Sequence, residues 1–226
     1  MPPEIAKRVE LRHIAGLDLL WLKDKSKDKI EKAWKYFQDE EHQKFPQIIM
    51  DEYCTSFRTI IQAGGHCGLY PLQYSKRFKT VHTFEPTYIN HYCLSENTKD
   101  YENIIVHNNG LGEIEKKVLF NVSRKNSGAH HVNPEENDTG NILIKTIDSY
   151  NVIDCDLIHL DIEGYELFAL KGAVNTIESS KPMIVLETTD ALERYNCTKE
   201  DILNFLSQFG YKVVKEWDRD TLYAVA

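Results

Sequence analysis

Apolar residues recur near the start of the chain at Ile5, Val9, Ile14, Leu17 and Leu20, a loose stripe. They recur again at Ile30, Ala33, Trp34 and Phe37, the i, i+3, i+4, i+7 spacing of an amphipathic helix. A helical extension over residues 1–45 is therefore expected, followed by a main domain over 46–226. The KDKSKDK run between the two stripes alternates in charge and reads as a solvated turn. Pro46 suits the first turn of a short helix over Gln47–Tyr53.

From Arg58 the period changes. Short β-rich runs begin at Thr59, Val81, Ile104, Leu157 and Met183. Helical patterns lie between them, from about Leu69, over Tyr88–Asn97 and over Glu166–Glu178. Strands that alternate with helices predict an α/β fold with a mostly parallel sheet covered on both faces. Thr198–Asp201 has the form of a capping box, opening a helix that Gly210 stops. Tyr211–Val214 and Leu222–Val225 then close the chain as a hairpin. The stretch 118–148 interrupts this alternation. It is β-rich and polar, and an insertion of that length is expected to be functional.

Composition narrows the field. At 226 residues, 42% hydrophobic and 27% charged, the chain is an ordinary globular domain with a short appendage. A formal net charge of −8 makes nucleic acid an unfavoured partner. Five cysteines without a CxxC pair argue against a disulfide framework or a zinc site, so reduced thiols, a cytoplasmic location and no bound metal are expected. No apolar run approaches the roughly 20 residues of a membrane span.

Ligands of an open parallel sheet bind beyond the carboxyl ends of its strands, where strand order reverses. Three segments should meet there. Ala63-Gly-Gly-His-Cys-Gly68 forms a strand-to-helix turn whose helix can present N–H groups to an anion; glycine is also needed there for conformational reasons alone. Glu85, about 20 residues beyond that loop, is placed to accept hydrogen bonds from a ribose, or else to cap the next helix. Leu160-Asp-Ile-Glu-Gly-Tyr-Glu166 crowds three carboxylates at the end of a buried strand, where they can serve as base, substrate ligand, divalent-cation ligand or helix cap. His130 and His131, in the insertion, offer imidazoles that titrate near neutrality.

Taken in order, Gly-Gly-x-x-Gly, Phe84-Glu-Pro, Asn109-Gly-Leu-Gly-Glu113, the Asp161 segment and Lys181-Pro-Met-Ile-Val-Leu-Glu187 resemble the FkbM family of methyltransferases over roughly Thr59 to Glu187. The resemblance implies a Rossmann-like class I methyltransferase fold. Its mostly parallel seven-stranded sheet would carry helices on both faces and a C-terminal antiparallel hairpin. It implies S-adenosylmethionine as cofactor and, usually, methylation of a hydroxyl oxygen on a glycan-like or small-molecule acceptor. By position, Gly64, Gly65 and Gly68 would line the methionine portion and Glu85 would hold the ribose. Asn109, Gly110 and Leu111 would lie against adenine, with Asp161 near the sulfonium. Asp161, Glu163 and His130 are the candidate bases. Gln62 departs from the family, which usually has an acid there; glutamine can accept a bond from the cofactor's ammonium group only without the charge. The competing readings are a nicotinamide-dependent oxidoreductase and an inactive binding module of the same fold. The N-terminal segment is expected to cover one face of the site or to mediate self-association.

Overall fold

The computed structural model describes residues 1–23, 44–123, 126–134 and 140–225. The expected helix through Ile30 and Phe37 lies outside them. The segment before it is not the helix that the apolar stripe suggested. After one helical turn, α1 (Pro3–Ala6), the chain forms strands β1 (Val9–Ile14) and β2 (Leu17–Leu22), paired antiparallel. Ala15 and Gly16 join them with φ of +51° and +76°, the tight turn that matches strand twist. The alternation Leu17, Leu19, Trp21 is the strand period that the longer stripe obscured.

Helix α2 (Phe45–Glu52) leads into the main sheet. Strands β3 (Thr59–Ala63), β4 (Thr80–Phe84) and β5 (Ile104–His107) alternate with helices α3 (Leu69–Tyr74) and α4 (Tyr88–Thr98). Next come β6 (Gly110–Leu111), β7 (Lys116–Val118), β8 (Phe120–Asn121), β9 (His131–Val132) and β10 (Ile142–Lys145). The chain continues with β11 (Cys155–Leu160), α5 (Glu166–Lys171), α6 (Val174–Ser180), β12 (Met183–Glu187), α7 (Lys199–Ser207), β13 (Tyr211–Glu216) and β14 (Asp220–Val225).

Seven strands form one sheet in the order β13-β14-β12-β11-β3-β4-β5. The run from β12 to β5 is parallel, and β14 pairs antiparallel with both β12 and β13. This is the expected sheet with its closing hairpin. Neighbouring residues of a strand serve opposite faces. Ile61, Ile158 and Ile184 pack under α5, α6 and α7, whereas Ile60, Leu157 and Val185 pack with Phe45, Ile49 and Tyr74. Strand order reverses between β3 and β11, so the loops after Ala63 and Leu160 leave the sheet side by side; Asp161 N–H donates to the Ala63 carbonyl at 3.1 Å.

Two details refine the expected elements. The helix anticipated over 166–178 is split at Gly172, where a Cβ would lie 2.1 Å from the Gly112 carbonyl oxygen, so a main-chain crossing replaces a continuous helix. The capping box is present as expected: Thr198 Oγ1 accepts from Asp201 N–H at 3.2 Å, and Asp201 Oδ2 accepts from Thr198 N–H at 2.8 Å. Among the described residues no helix is long and apolar enough to cross a membrane.

Candidate active site

Strand β3 ends at Ala63, and the chain must turn sharply to reach α3. Gly64 takes φ +84°, and the N–H groups of Gly64 and Gly65 both donate to the Phe84 carbonyl, at 3.2 and 2.9 Å. A Cβ on Gly64 would lie 2.0 Å from the Asp161 carbonyl oxygen. The glycine thus lets the first and fourth parallel strands bring their terminal loops into contact. Replacing it with alanine combines a strained φ with a backbone clash. Gly64→Ala is expected to cost roughly 2–4 kcal/mol, read as a lower denaturant midpoint at unchanged slope.

Glu85 follows β4 and is buried, at 5% exposure. One oxygen accepts from Thr87 N–H at 2.9 Å and from Thr87 Oγ1 at 2.5 Å; the other accepts from His66 N–H at 3.0 Å. Burial pushes its pKa up to about 7, although these bonds oppose the rise. The second oxygen keeps a lone pair for a further donor.

At the end of β11 the acids crowd. Asp161 is raised well above the usual carboxylate range by burial and by Glu187, Asp220, Glu163 and Glu166 around it. Burial and Glu187 lift Glu163 to about 7, against the opposing pull of Arg194 and Arg219. Glu166, fully buried, spends one oxygen on the N–H groups of Ile162 and Gly164, which closes the loop; it serves the backbone rather than the cleft. Glu187 is paired with Arg219.

Glu85, Asp161 and Glu163 face one cleft of about 270 Å³. Of the residues singled out in the sequence, Gly64, Gly65, Glu85, Gly110, Leu111, Asp161, Glu163 and His130 line it. Gly68 and Asn109 do not. Gly68 sits at φ +96° as the N-cap of α3, and the Asn109 side chain accepts from Tyr150 Oη at 2.6 Å and donates to the Gly110 carbonyl. Gln62 is also held elsewhere: its amide donates to the Ala63 and Gly64 carbonyls, and its oxygen accepts from Thr83 Oγ1 at 2.6 Å.

The insertion supplies the opposite wall through Phe120, Val132 and Ile144, and Tyr195 Oη holds it by donating to the Val132 carbonyl at 2.7 Å. His130 Nε2 lies 3.2 Å from the Ser123 carbonyl, a bond that needs the proton on Nε2 and leaves Nδ1 with its lone pair. That Nδ1 is buried and has no hydrogen-bond partner among the described residues. Burial lowers the His130 pKa. Tyr165, within the Asp161 segment, also lines the cleft, as do Trp21, Asn90, Ser127 and Arg219, which no spacing along the sequence marked.

Residues 42–213 match the family model described as the methyltransferase FkbM domain. The chain belongs to the FkbM methyltransferase family. S-adenosylmethionine is the methyl donor that membership brings with it, and the oxidoreductase reading falls away. Among solved structures, the FkbM methyltransferase from Methylobacillus flagellatus KT is similar, with a TM-score of 0.54 and 20% identity. That match covers 80% of this chain and 47% of the other, so the chain spans about half the length of that protein. A SAM-dependent methyltransferase from Aquifex aeolicus matches with a TM-score of 0.50 and 12% identity, covering 90% of this chain and all of the other. Both show the shared fold. No curated protein sequence matches the chain.

The donor set of this FkbM cleft suits such a cofactor. Asp161 is exposed to the cleft on one side and surrounded by further acids on the others, an excess of negative potential that a bound cation relieves. The excess has a consequence for stability. Glu85, Glu163 and Asp220 are raised to about 7 and Glu166 to about 8, so the folded chain binds more protons than the unfolded one up to those values. Their stabilisation is full below the unfolded pKa and is lost as pH rises through 7 to 8. His66 and His107, lowered by burial to about 3 and 4, act with the opposite sign only below about 6.5. Thermal midpoints of the ligand-free chain are therefore expected to fall between pH 6.5 and 8.5. A flat or rising profile over that window would contradict the burial of this acid cluster.

Proposed function

We propose that the chain transfers a methyl group from S-adenosylmethionine to a hydroxyl oxygen of a glycan-like or small-molecule acceptor, in the cytoplasm. The observation that carries this reading is the pairing of two cleft-lining carboxylates, Asp161, held well above the usual carboxylate range by burial and neighbouring acids, and Glu163, raised to about 7. A base that titrates near the working pH is the kind of group that takes a proton from a hydroxyl as the hydroxyl attacks.

When bound, the cofactor supplies an electrophilic methyl group beside a positive charge. Gly64 and Gly65 would line its methionine portion, Glu85 would accept from its ribose hydroxyls, and Leu111 would pack against its adenine. Asp161 contributes negative charge at the carboxyl end of β11, favouring a cation there. Glu163 takes the acceptor's hydroxyl proton on a carboxylate oxygen, and the Nδ1 lone pair of His130 is the alternative destination. The apolar wall of Phe120, Val132 and Ile144 keeps water from competing with the acceptor.

The test is a screen with a methyl-labelled donor against neutral glycans, polyols, carboxylates and amines. Label that enters a hydroxylated acceptor and resists mild alkali, as an ether does and a methyl ester does not, supports the reading. Label found only on carboxylates or amines would overturn it.

A further inference from the structure

Between the glycine loop and the insertion runs a chain of hydrogen-bonded residues, of which only Glu85 has a role above. His66 has φ +45°, which directs its N–H onto Glu85 Oε2 at 3.0 Å while its ring points to the insertion. There Nε2 lies 2.9 Å from Ser127 Oγ. The Ser127 carbonyl accepts from Asn90 Nδ2 at 3.0 Å. The path Glu85–His66–Ser127–Asn90 thus joins the end of β4, the glycine loop, the insertion and α4. Glu85, Asn90 and Ser127 are 5%, 2% and 9% exposed and His66 is half-buried, so the chain's bonds lie largely away from solvent, where they hold geometry more firmly. Outside the residues that the family model matches, β2 brings Trp21 edge-on to the His66 ring, with centroids 4.7 Å apart at 70°.

We propose that His66 is a positioning residue through which the insertion and the N-terminal hairpin fix the carboxylate of Glu85. The inference rests on the reading that Glu85 holds the cofactor's ribose. It assigns the Ser127 end of the insertion to the cofactor, and the hairpin becomes part of the site rather than an appendage. Burial lowers the His66 pKa to about 3, so the ring is neutral near pH 7 and positions the site through its hydrogen bonds rather than its charge.

His66→Asn separates backbone from side chain. Asparagine accepts a left-handed conformation readily and keeps the N–H on Glu85, but its side chain is too short to bridge to Ser127. Ser127→Ala removes the other end of the bond. In the ligand-free chain, amide hydrogen exchange over residues 126–133 is expected to rise in both variants, and no further in the double variant. Titration with S-adenosylhomocysteine is expected to show Kd raised roughly three- to tenfold in each, with the double variant no weaker than the weaker single. Faster exchange with unchanged Kd would reduce His66 to a loop staple and overturn the proposal, as would strictly additive effects on Kd. A wild-type chain that shows the exchange coupling yet fails to bind S-adenosylhomocysteine would overturn the cofactor reading of Glu85 instead.

Discussion

Asp161→Asn is expected to lower kcat by roughly 10²–10⁴-fold while leaving a folded protein that is more stable than wild type at pH 8. The two effects have one cause. Asp161 sits among Glu187, Asp220, Glu163 and Glu166, and its ionisation in the ligand-free chain works against burial and four like charges. Asparagine keeps the shape and removes that charge, so the thermal midpoint rises. The same change removes the negative potential that a cationic methyl donor needs beside it. Glu163→Gln provides the companion result. If Glu163 takes the acceptor's proton, wild-type kcat rises with pH through about 7, and the glutamine variant loses both that limb and most of its rate. Wild-type turnover in Asp161→Asn, or a pH profile unchanged in Glu163→Gln, would remove those residues from the chemistry.

Glu85→Ala is expected to raise the Kd for S-adenosylhomocysteine at least roughly 100-fold. The carboxylate holds its position through three donors, two from Thr87 and the backbone of His66, and its remaining lone pair faces a cleft it helps to line. Truncation removes the acceptor and leaves buried N–H groups unpaired. Glu85→Gln serves as the folding control, because it keeps the shape and one acceptor oxygen. It is expected to fold normally and bind with an intermediate loss.

The division between what was legible in the sequence and what was not follows the range of the interactions. The parallel strands were readable because each is a short apolar run between turn residues, and the capping box at Thr198 because its two bonds close within four residues. The cleft acids were readable because loops must follow strands at the switch point. The hairpin over Val9–Leu22 was misread because apolar residues at Ile5, Val9, Ile14 and Leu17 fit a loose helical stripe, and the Ala15–Gly16 turn that decides otherwise is a weak local signal. Asn109 and Gln62 are placed against the cofactor by the family resemblance alone, which carries no information about their side-chain partners. In the fold Thr83 and Tyr150, distant in sequence, hydrogen-bond them. Trp21, Ser127 and Asn90 reach the cleft only through packing of separate segments, which no spacing along the chain encodes.

The most direct test of the account is calorimetric titration of the full chain with S-adenosylhomocysteine, wild type beside Glu85→Ala and Glu85→Gln. The account predicts one site per chain in wild type, a graded loss in the glutamine variant and no measurable binding in the alanine variant. Binding of equal strength in all three proteins, or none to folded wild type, would contradict the assignment of this cleft to the cofactor.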